Sequence, residues 1–191
     1  MLDIISTYDW AVLHWIHNTL SCPVLDYLMP KITELGSGGM IWIMIGFVLI
    51  VTKRYRRYGL IMIIGLVLGV MVGNVFLKNL IERSRPCWTD HSVALLIANP
   101  SDYSFPSGHT LASVIAATIL TLSNKKFGYI AIPLATLIAF SRLYLYVHFP
   151  SDILGAVIIG LIIGFFVFKG AKKFIPEGNE MKATIENSFL W

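Results

Sequence analysis

Basic side chains and histidines recur in three short segments, each containing a proline, and their types suit the handling of an oxyanion. The first segment is KNLIERSRP, Lys78 to Pro86. Lys78 and Arg85 stand seven residues apart, close to two turns of helix, so a continuous helix would project them from one face. Pro86 disfavours helix at Arg85 and puts that guanidinium at a helix exit. Two cations on one face suit a phosphate, which an arginine can grip through two parallel hydrogen bonds. The competing reading is surface pairing, for instance Lys78 with Glu82 at i,i+4. Arg83 falls off the shared face and is assigned to that ordinary surface class.

The second segment is Pro106-Ser107-Gly108-His109, which leads into an apolar run. A helix start carries unpaired N–H groups and partial positive charge, a ready anion site. Gly108 lets the backbone approach closely, while the Ser107 hydroxyl either donates to the anion or caps the helix. His109 then stands beside a bound anion and is a candidate general acid. The third segment is SRLYLYVHFPSD, Ser141 to Asp152. On one unbroken helix Arg142 and His148 would point about 120° apart. They share a site only if the helix stops before His148, and Pro150 favours such a break. Asp152 follows within reach of His148. A carboxylate on one imidazole nitrogen fixes the tautomer and frees the other nitrogen to attack; the competing role for Asp152 is a helix N-cap. These residues leave direct hydrolysis and a covalent intermediate both open.

The elements that must hold these segments are membrane helices. Hydrophobic residues make up 56% of the 191-residue chain and charged ones only 14%, against roughly 25% charged in soluble domains; mean hydropathy is +0.72. The net charge of +4 lies between apolar runs rather than along a polar face, which excludes nucleic-acid binding in favour of basic helix ends. Residues 59–77 form a nineteen-residue uncharged run, near the ~20 residues that span a bilayer core. Runs at 38–52, 107–123, 129–147 and 153–168 complete five clear spans. Residues 10–35 hold His14, His17, Asp26, Pro30, Lys31 and Glu34, and read equally as one clean span or as an interfacial amphipathic helix followed by a short span. The expected fold is therefore all-α, a polytopic transmembrane bundle with five clear spans and an N-terminal interfacial helix. One membrane unit is expected over 1–174, with a polar mobile tail at 175–191.

Lys53, Arg54, Arg56 and Arg57, then Lys125 and Lys126, then Lys169, Lys172 and Lys173 fall on one side of alternating crossings. The positive-inside rule makes that side cytoplasmic. Lys78, Arg83, Arg85 and Arg142 then break the rule on the outer side, where ionisable groups are functional candidates. Small residues at four-residue spacing, Gly65, Gly69 and Gly73 and again Ala156, Gly160 and Gly164, mark close helix packing within the monomer. Cys22 and Cys87 lack metal-ligand spacing; they could pair if both face the oxidising side, but free thiols are the expectation. The start Met1-Leu2-Asp3 has no basic region of a cleavable signal peptide.

In this order, K-x6-RP, PSGH and SR-x5-H-x3-D resemble the three signature motifs of the type 2 phosphatidic acid phosphatase superfamily, over roughly Gly38 to Phe168. The resemblance implies six transmembrane helices and a phosphohistidine intermediate. It makes His148 the nucleophile, Asp152 its orienting partner and His109 the acid that protonates the leaving group and later activates water. Lys78, Arg85, Ser107, Gly108 and Arg142 become the phosphate cradle. Short length and minimal loops are similar to bacterial undecaprenyl diphosphate phosphatases, so undecaprenyl diphosphate is the expected substrate. Phosphatidylglycerophosphate and phosphatidate are the alternatives. A non-hydrolytic lipid transporter or scramblase is the reading from another class, and it would need polar groups along the spans, which beyond hydroxyl groups and His109 hold only Asn74 and Arg142.

No metal and no cofactor are expected: Asp90, Asp102 and Asp152 face Lys78, Arg85 and Arg142, and fixed cations repel divalent ions. His91 is expected to have no catalytic part. Trp88, Tyr103 and Phe105 either shape the site entrance or are interfacial aromatics. The partners expected are a lipid phosphate and membrane lipids, with no nucleic acid and no obligate protein. The location expected is a bacterial-type inner (plasma) membrane, multi-pass, with the site on the extracytoplasmic face.

Overall fold

The computed structural model describes residues 2–174, so the tail expected at 175–191 lies outside the described residues. Among these residues all regular structure is helical. The chain opens with α1 (Leu2–Leu20) and α2 (Pro23–Leu35), passes a 3-10 turn at Ser37–Gly39, and continues as α3 (Met40–Val51) and α4 (Arg56–Gly69). A π-helical stretch, Val70–Leu77, runs into the short α5 (Lys78–Ile81); α6 (Pro86–Thr89), α7 (Gly108–Ser123), α8 (Lys125–Tyr144) and α9 (Pro150–Phe174) follow. Local chemistry sets several boundaries. Pro23, Pro86 and Pro150 each occupy a first helical position, where the missing N–H costs nothing. Asn124 caps α8 by accepting a hydrogen bond from the Lys126 amide at 3.0 Å. Gly38 and Gly39, at φ 57° and 71°, make the left-handed turn between α2 and α3.

The bundle is built around α7. Leu111, Ile115 and Ile119 are buried, and they pack with Ile61, Met62 and Leu66 of α4, Ala135 and Ile138 of α8 and Ala156 of α9 in one apolar core. Trp42 of α3 is fully buried and donates its indole N–H to Ser113 of α7 at 2.9 Å. The small-residue stripes lie inside this packing. A methyl group on Gly69 or Gly73 would come within 2.6 Å of Ile115 or 2.4 Å of Leu111, and one on Gly164 within 2.9 Å of Thr118. Close approach to α7 therefore depends on their bare backbones.

The outward faces are apolar as well. Phe47, Val51, Met71, Phe76, Ile130, Leu154 and Phe166 are all exposed, a surface suited to lipid and not to water. Among the described residues three helices can cross a membrane by length and composition: Arg56–Thr89, Lys125–Tyr144 and Pro150–Ala171. A fourth crossing arises if Pro23–Leu35 and Ser37–Val51, bent by 43° at the glycine turn, form one broken span. At 16 residues, α7 rises only about 24 Å, short of a ~30 Å hydrocarbon core. The window read at 129–147 begins earlier and ends earlier, because the chain leaves helix after Tyr144 and Tyr146 adopts φ 60°.

Ring contacts gather one end of the bundle. Tyr55 meets Phe127 at 5.3 Å and Tyr58 meets Phe168 at 6.1 Å, bringing the α3–α4 turn, the start of α8 and the end of α9 together. Lys53, Arg54, Arg56, Lys125, Lys126 and Lys169 collect there. The three chemistry-bearing segments lie at the other end.

Candidate active site

The exit from α5 places the first two cations, though not on a shared helix face. Glu82 takes a left-handed conformation at φ 49°, uncommon for a non-glycine residue, and ends the helix at Ile81 before Arg85 is reached. The two side chains meet instead at a residue from the outer loop. The Lys78 ammonium pairs with the Asp102 carboxylate rather than with Glu82. Arg85 Nη2 donates to Asp102 Oδ1 at 2.8 Å and its Nε to the Asp102 carbonyl at 2.6 Å. Partial burial pushes the Asp102 carboxyl up, but hydrogen bonds and charge from Lys78 and Arg85 outweigh it and hold it at about 2.

Ser107 stands at the start of α7, fully buried, and makes no capping hydrogen bond. Its oxygen accepts from Thr110 Oγ1 at 3.0 Å, which leaves its own proton free for another acceptor. The π-helical turn pushes Asn74 against Gly108, where an added Cβ would lie 3.0 Å from Asn74 Oδ1. His109 is partly buried and packs beside Gly36.

Beyond Tyr144 the chain turns on one tightened hydrogen bond, Tyr146 N–H to Leu143 O, and one widened one, Val147 N–H to Arg142 O, and returns His148 towards Arg142. Arg142 is buried, with Nη1 donating to Thr33 Oγ1 at 2.5 Å and Nε without a partner. His148 is 1% exposed. Its Nε2 lies 3.1 Å from Arg85 Nη1, a group that can only donate. Nε2 is therefore the acceptor and the proton sits on Nδ1. On that side Ser104 Oγ lies 3.4 Å away and passes its own proton to Asp152 Oδ2 at 2.5 Å. The direct Nδ1 to Asp152 separation is 3.6 Å, so the hydroxyl stands between imidazole and carboxylate. Burial, then the charges of Arg85, Arg142, Lys78 and His109, hold His148 well below the usual imidazole range. The ring is neutral, with a lone pair facing the cations.

Three residues in this shell carry no role from the sequence. Ser104 is fully buried between His148 and Asp152. Thr33 holds Arg142. Arg83, assigned above to ordinary surface pairing, donates instead from Nη1 to Asp152 Oδ1 at 2.6 Å and from Nη2 to Asp9 Oδ2 at 2.6 Å. Those partners lie 69 and 74 residues away along the chain, so no local spacing announces them. The only sequence signal is its place among cations on the disfavoured side. Phe105 packs on Gly155, whose added Cβ would be 2.4 Å from its ring. Trp88 and Tyr103 rings meet at 6.2 Å, and the Trp88 indole N–H is held by Asn99 and Pro100. His91 is exposed, and Cys22 and Cys87 are free thiols. Among the described residues no three of His, Cys, Asp and Glu converge as a metal-ligand set.

Two buried arginines, a buried lysine and a helix start thus surround a neutral imidazole. Such a site can take up a tetrahedral oxyanion and attack its central atom.

The sequence profile of the PAP2 superfamily matches residues 54–176. An undecaprenyl-diphosphatase from Sulfolobus acidocaldarius is 35% identical over 142 residues, 74% of this chain and 68% of that protein. Undecaprenyl-diphosphatase BcrC from Bacillus subtilis is 31% identical over 157 residues, 80% and 76% of the two chains. The crystal structure of a transmembrane PAP2-type phosphatidylglycerolphosphate phosphatase from Bacillus subtilis superposes with a TM-score of 0.73 at 30% identity, covering 91% of this chain and 88% of the other.

Proposed function

The chain belongs to the PAP2 superfamily, and on that premise we propose that it is a membrane lipid phosphatase that works through a phosphohistidine on His148. The observation that carries the reading is the His148 Nε2 lone pair, fixed by Arg85 and Ser104 and aimed into a cluster of buried cations. Lys78, Arg85, Arg142, the Ser107 hydroxyl and the amide at Gly108 bind the phosphoryl oxygens, and the unpartnered Arg142 Nε is a donor available for one of them. Nε2 attacks phosphorus, the bond to the leaving oxygen breaks, and His109 supplies the proton that oxygen needs. His109 then takes a proton from water, which attacks the phosphohistidine and releases phosphate. Asp102 leaves its two cations as the anion arrives.

A lipid substrate is supported by the groove beside the cradle. About 400 Å³ of apolar space runs from Gly108 and Asn74 past Gly39, Phe47, Val67 and Leu111, room for a hydrocarbon chain whose phosphate lies against α7. Undecaprenyl diphosphate, cleaved to undecaprenyl phosphate, is the first choice because relatives of that name align over most of the chain. Phosphatidylglycerophosphate and phosphatidate are the alternatives. The apolar core around α7 speaks against a scramblase or transporter path. The cation cluster supports metal-independent chemistry, since it supplies fixed charge where ions serve elsewhere. In this reading the bundle is polytopic and α1 lies in the interface, with Ile5, Tyr8, Val12 and Trp15 exposed to lipid. The basic end faces the cytoplasm and the site faces outward across an inner membrane.

The test is phosphate release by purified protein in detergent from undecaprenyl diphosphate, phosphatidylglycerophosphate and phosphatidate, with and without EDTA. Turnover that survives chelation on at least one lipid is expected. No release from any of them would overturn the phosphatase reading, and activity restored only by Mg²⁺ or Zn²⁺ would overturn the metal-free mechanism.

A further inference from the structure

We propose that Arg83, anchored by Asp9 of the N-terminal helix, is a positioning residue for this phosphoryl transfer: it fixes the carboxylate of Asp152 and so makes α1 part of the active site. The inference rests on the reading of His148 as nucleophile. Asp152 is fully buried and its two oxygens are divided between two sides. Oδ2 accepts from Ser104 at 2.5 Å and from the Phe149 amide at 2.8 Å, on the His148 side. Oδ1 accepts from Arg83 at 2.6 Å. A carboxylate held at both oxygens cannot rotate, and the Ser104 hydroxyl that reads the His148 Nδ1 proton stays aligned.

Arg83 holds more than the carboxylate. Its Nη1 also donates to Ser151 Oγ at 2.6 Å, its guanidinium lies 4.3 Å over the Phe149 ring, and its carbonyl accepts the Ser104 amide at 2.8 Å. The turn from His148 to Asp152 is thus tied at several points to this one residue. Asp9 supplies the counterpart. It is 3% exposed and accepts from Arg83 Nη2 at 2.6 Å, from Ser151 N–H at 2.9 Å and from Ser151 Oγ at 2.5 Å. The arrangement is a line of alternating charge, Asp9, Arg83, Asp152, contributed by α1, the α5–α6 link and α9. A guanidinium facing Asp152 alone would neutralise it. Shared with Asp9, it leaves net negative charge beside the imidazole that turns cationic on phosphorylation. An Arg–Asp pair needed only to dock α1 would have no reason to end on the catalytic carboxylate.

The experiment uses the full chain in detergent with four variants: Arg83→Gln, Arg83→Lys, Asp9→Asn and the double Asp9→Asn/Arg83→Gln. Misplacement of a reacting group by about 1 Å costs on the order of 100-fold. We expect kcat of Arg83→Gln to fall roughly that far, with KM and vanadate inhibition within about twofold of wild type, because no cradle contact is lost. Arg83→Lys should recover part of the rate. The double variant should be no slower than Arg83→Gln, since both changes cut one chain of contacts. A kcat for Arg83→Gln within about twofold of wild type, or a loss that tracks only the unfolded fraction in thermal melts, would overturn the proposal.

Ring-nitrogen NMR shifts of His148, assigned by difference against His148→Asn, read the tautomer without turnover. The Nδ1–H form is expected in wild type and a mixture in Arg83→Gln. An unchanged tautomer in Arg83→Gln would count against the proposal even if no lipid on the panel were hydrolysed, whereas an inactive wild type with the tautomer shift present would overturn the phosphatase reading alone.

Discussion

Replacing Asp152 with asparagine separates the catalytic and structural uses of one buried group. Judged by size and capping ability alone, asparagine is a harmless isostere at the start of α9. The geometry gives a different outcome. Both carboxylate oxygens face donors: Arg83 on Oδ1, and Ser104 with the Phe149 amide on Oδ2. Asparagine offers one acceptor and one NH₂ group, so one side must set donor against donor at a site with no exposure. Only the Ser104 hydroxyl can reverse; the Phe149 amide and the Arg83 guanidinium cannot. A buried group left unmatched costs about 1–3 kcal/mol, more when a charge is involved. At about 2–4 °C per kcal/mol for a chain of this size, the melting point should fall by roughly 2–12 °C. Against a typical total of about 5–15 kcal/mol the protein still folds. Turnover should fall much further, about 10³–10⁴-fold, because nothing then stabilises the imidazolium or holds the Nδ1–H tautomer. The assays are phosphate release and thermal unfolding of the purified variant. Turnover above about a tenth of wild type would refute the catalytic part. A melting point unchanged from wild type would refute the donor conflict.

His148→Ala and His109→Ala should both insert and fold yet lose hydrolysis almost completely; near-normal turnover in purified His148→Ala removes the nucleophile assignment. Arg85→Lys and Arg142→Lys should each weaken turnover and vanadate inhibition together, because lysine keeps the charge and loses the planar fork; inhibition titrations decide it. Asp102→Ala should tighten vanadate binding, since the carboxylate that competes for Lys78 and Arg85 is gone, and weaker binding would show that Asp102 helps to build the cradle. Stability should fall with acid: the native state keeps His148 neutral with its pKa below 6.5, whereas the unfolded chain takes up the proton near 6.5. This contribution is complete above that pH and drops by up to about 1.4 kcal/mol per unit below it. Melting curves between pH 7.5 and 5 should show the slope, and His148→Gln should make it shallower.

Features governed by a few neighbouring residues are legible in the sequence itself. The uncharged run at 59–77 and its companions specify apolar helices, because the cost of charge in lipid acts on each residue wherever its neighbours lie. Pro86 holds Arg85 extended through ring sterics that reach one residue back, and Pro150 opens α9 as its first residue. The glycine stripes of α4 and α9 likewise announce close packing. The residues named from the three segments are those that the fold gathers at one end of the bundle.

Partner choice is not legible there. By spacing alone Lys78 and Arg85 share one helix face, yet they meet through Asp102 after Glu82 has broken the helix. The π-helical turn at Val70–Leu77, which sets Asn74 against Gly108, has no pattern of its own in a run of apolar residues. Arg83 reads as a surface cation until α1 and α9 bring Asp9 and Asp152 to either side of it. Helix propensity and proline sterics are summed over neighbours in the chain, so sequence alone shows which runs form apolar helices and where prolines bound them. A buried charge is decided by whichever opposite group lies within about 3 Å after folding, and contacts spanning 142 residues, such as Asp9 to Ser151, exist only once the helices have packed.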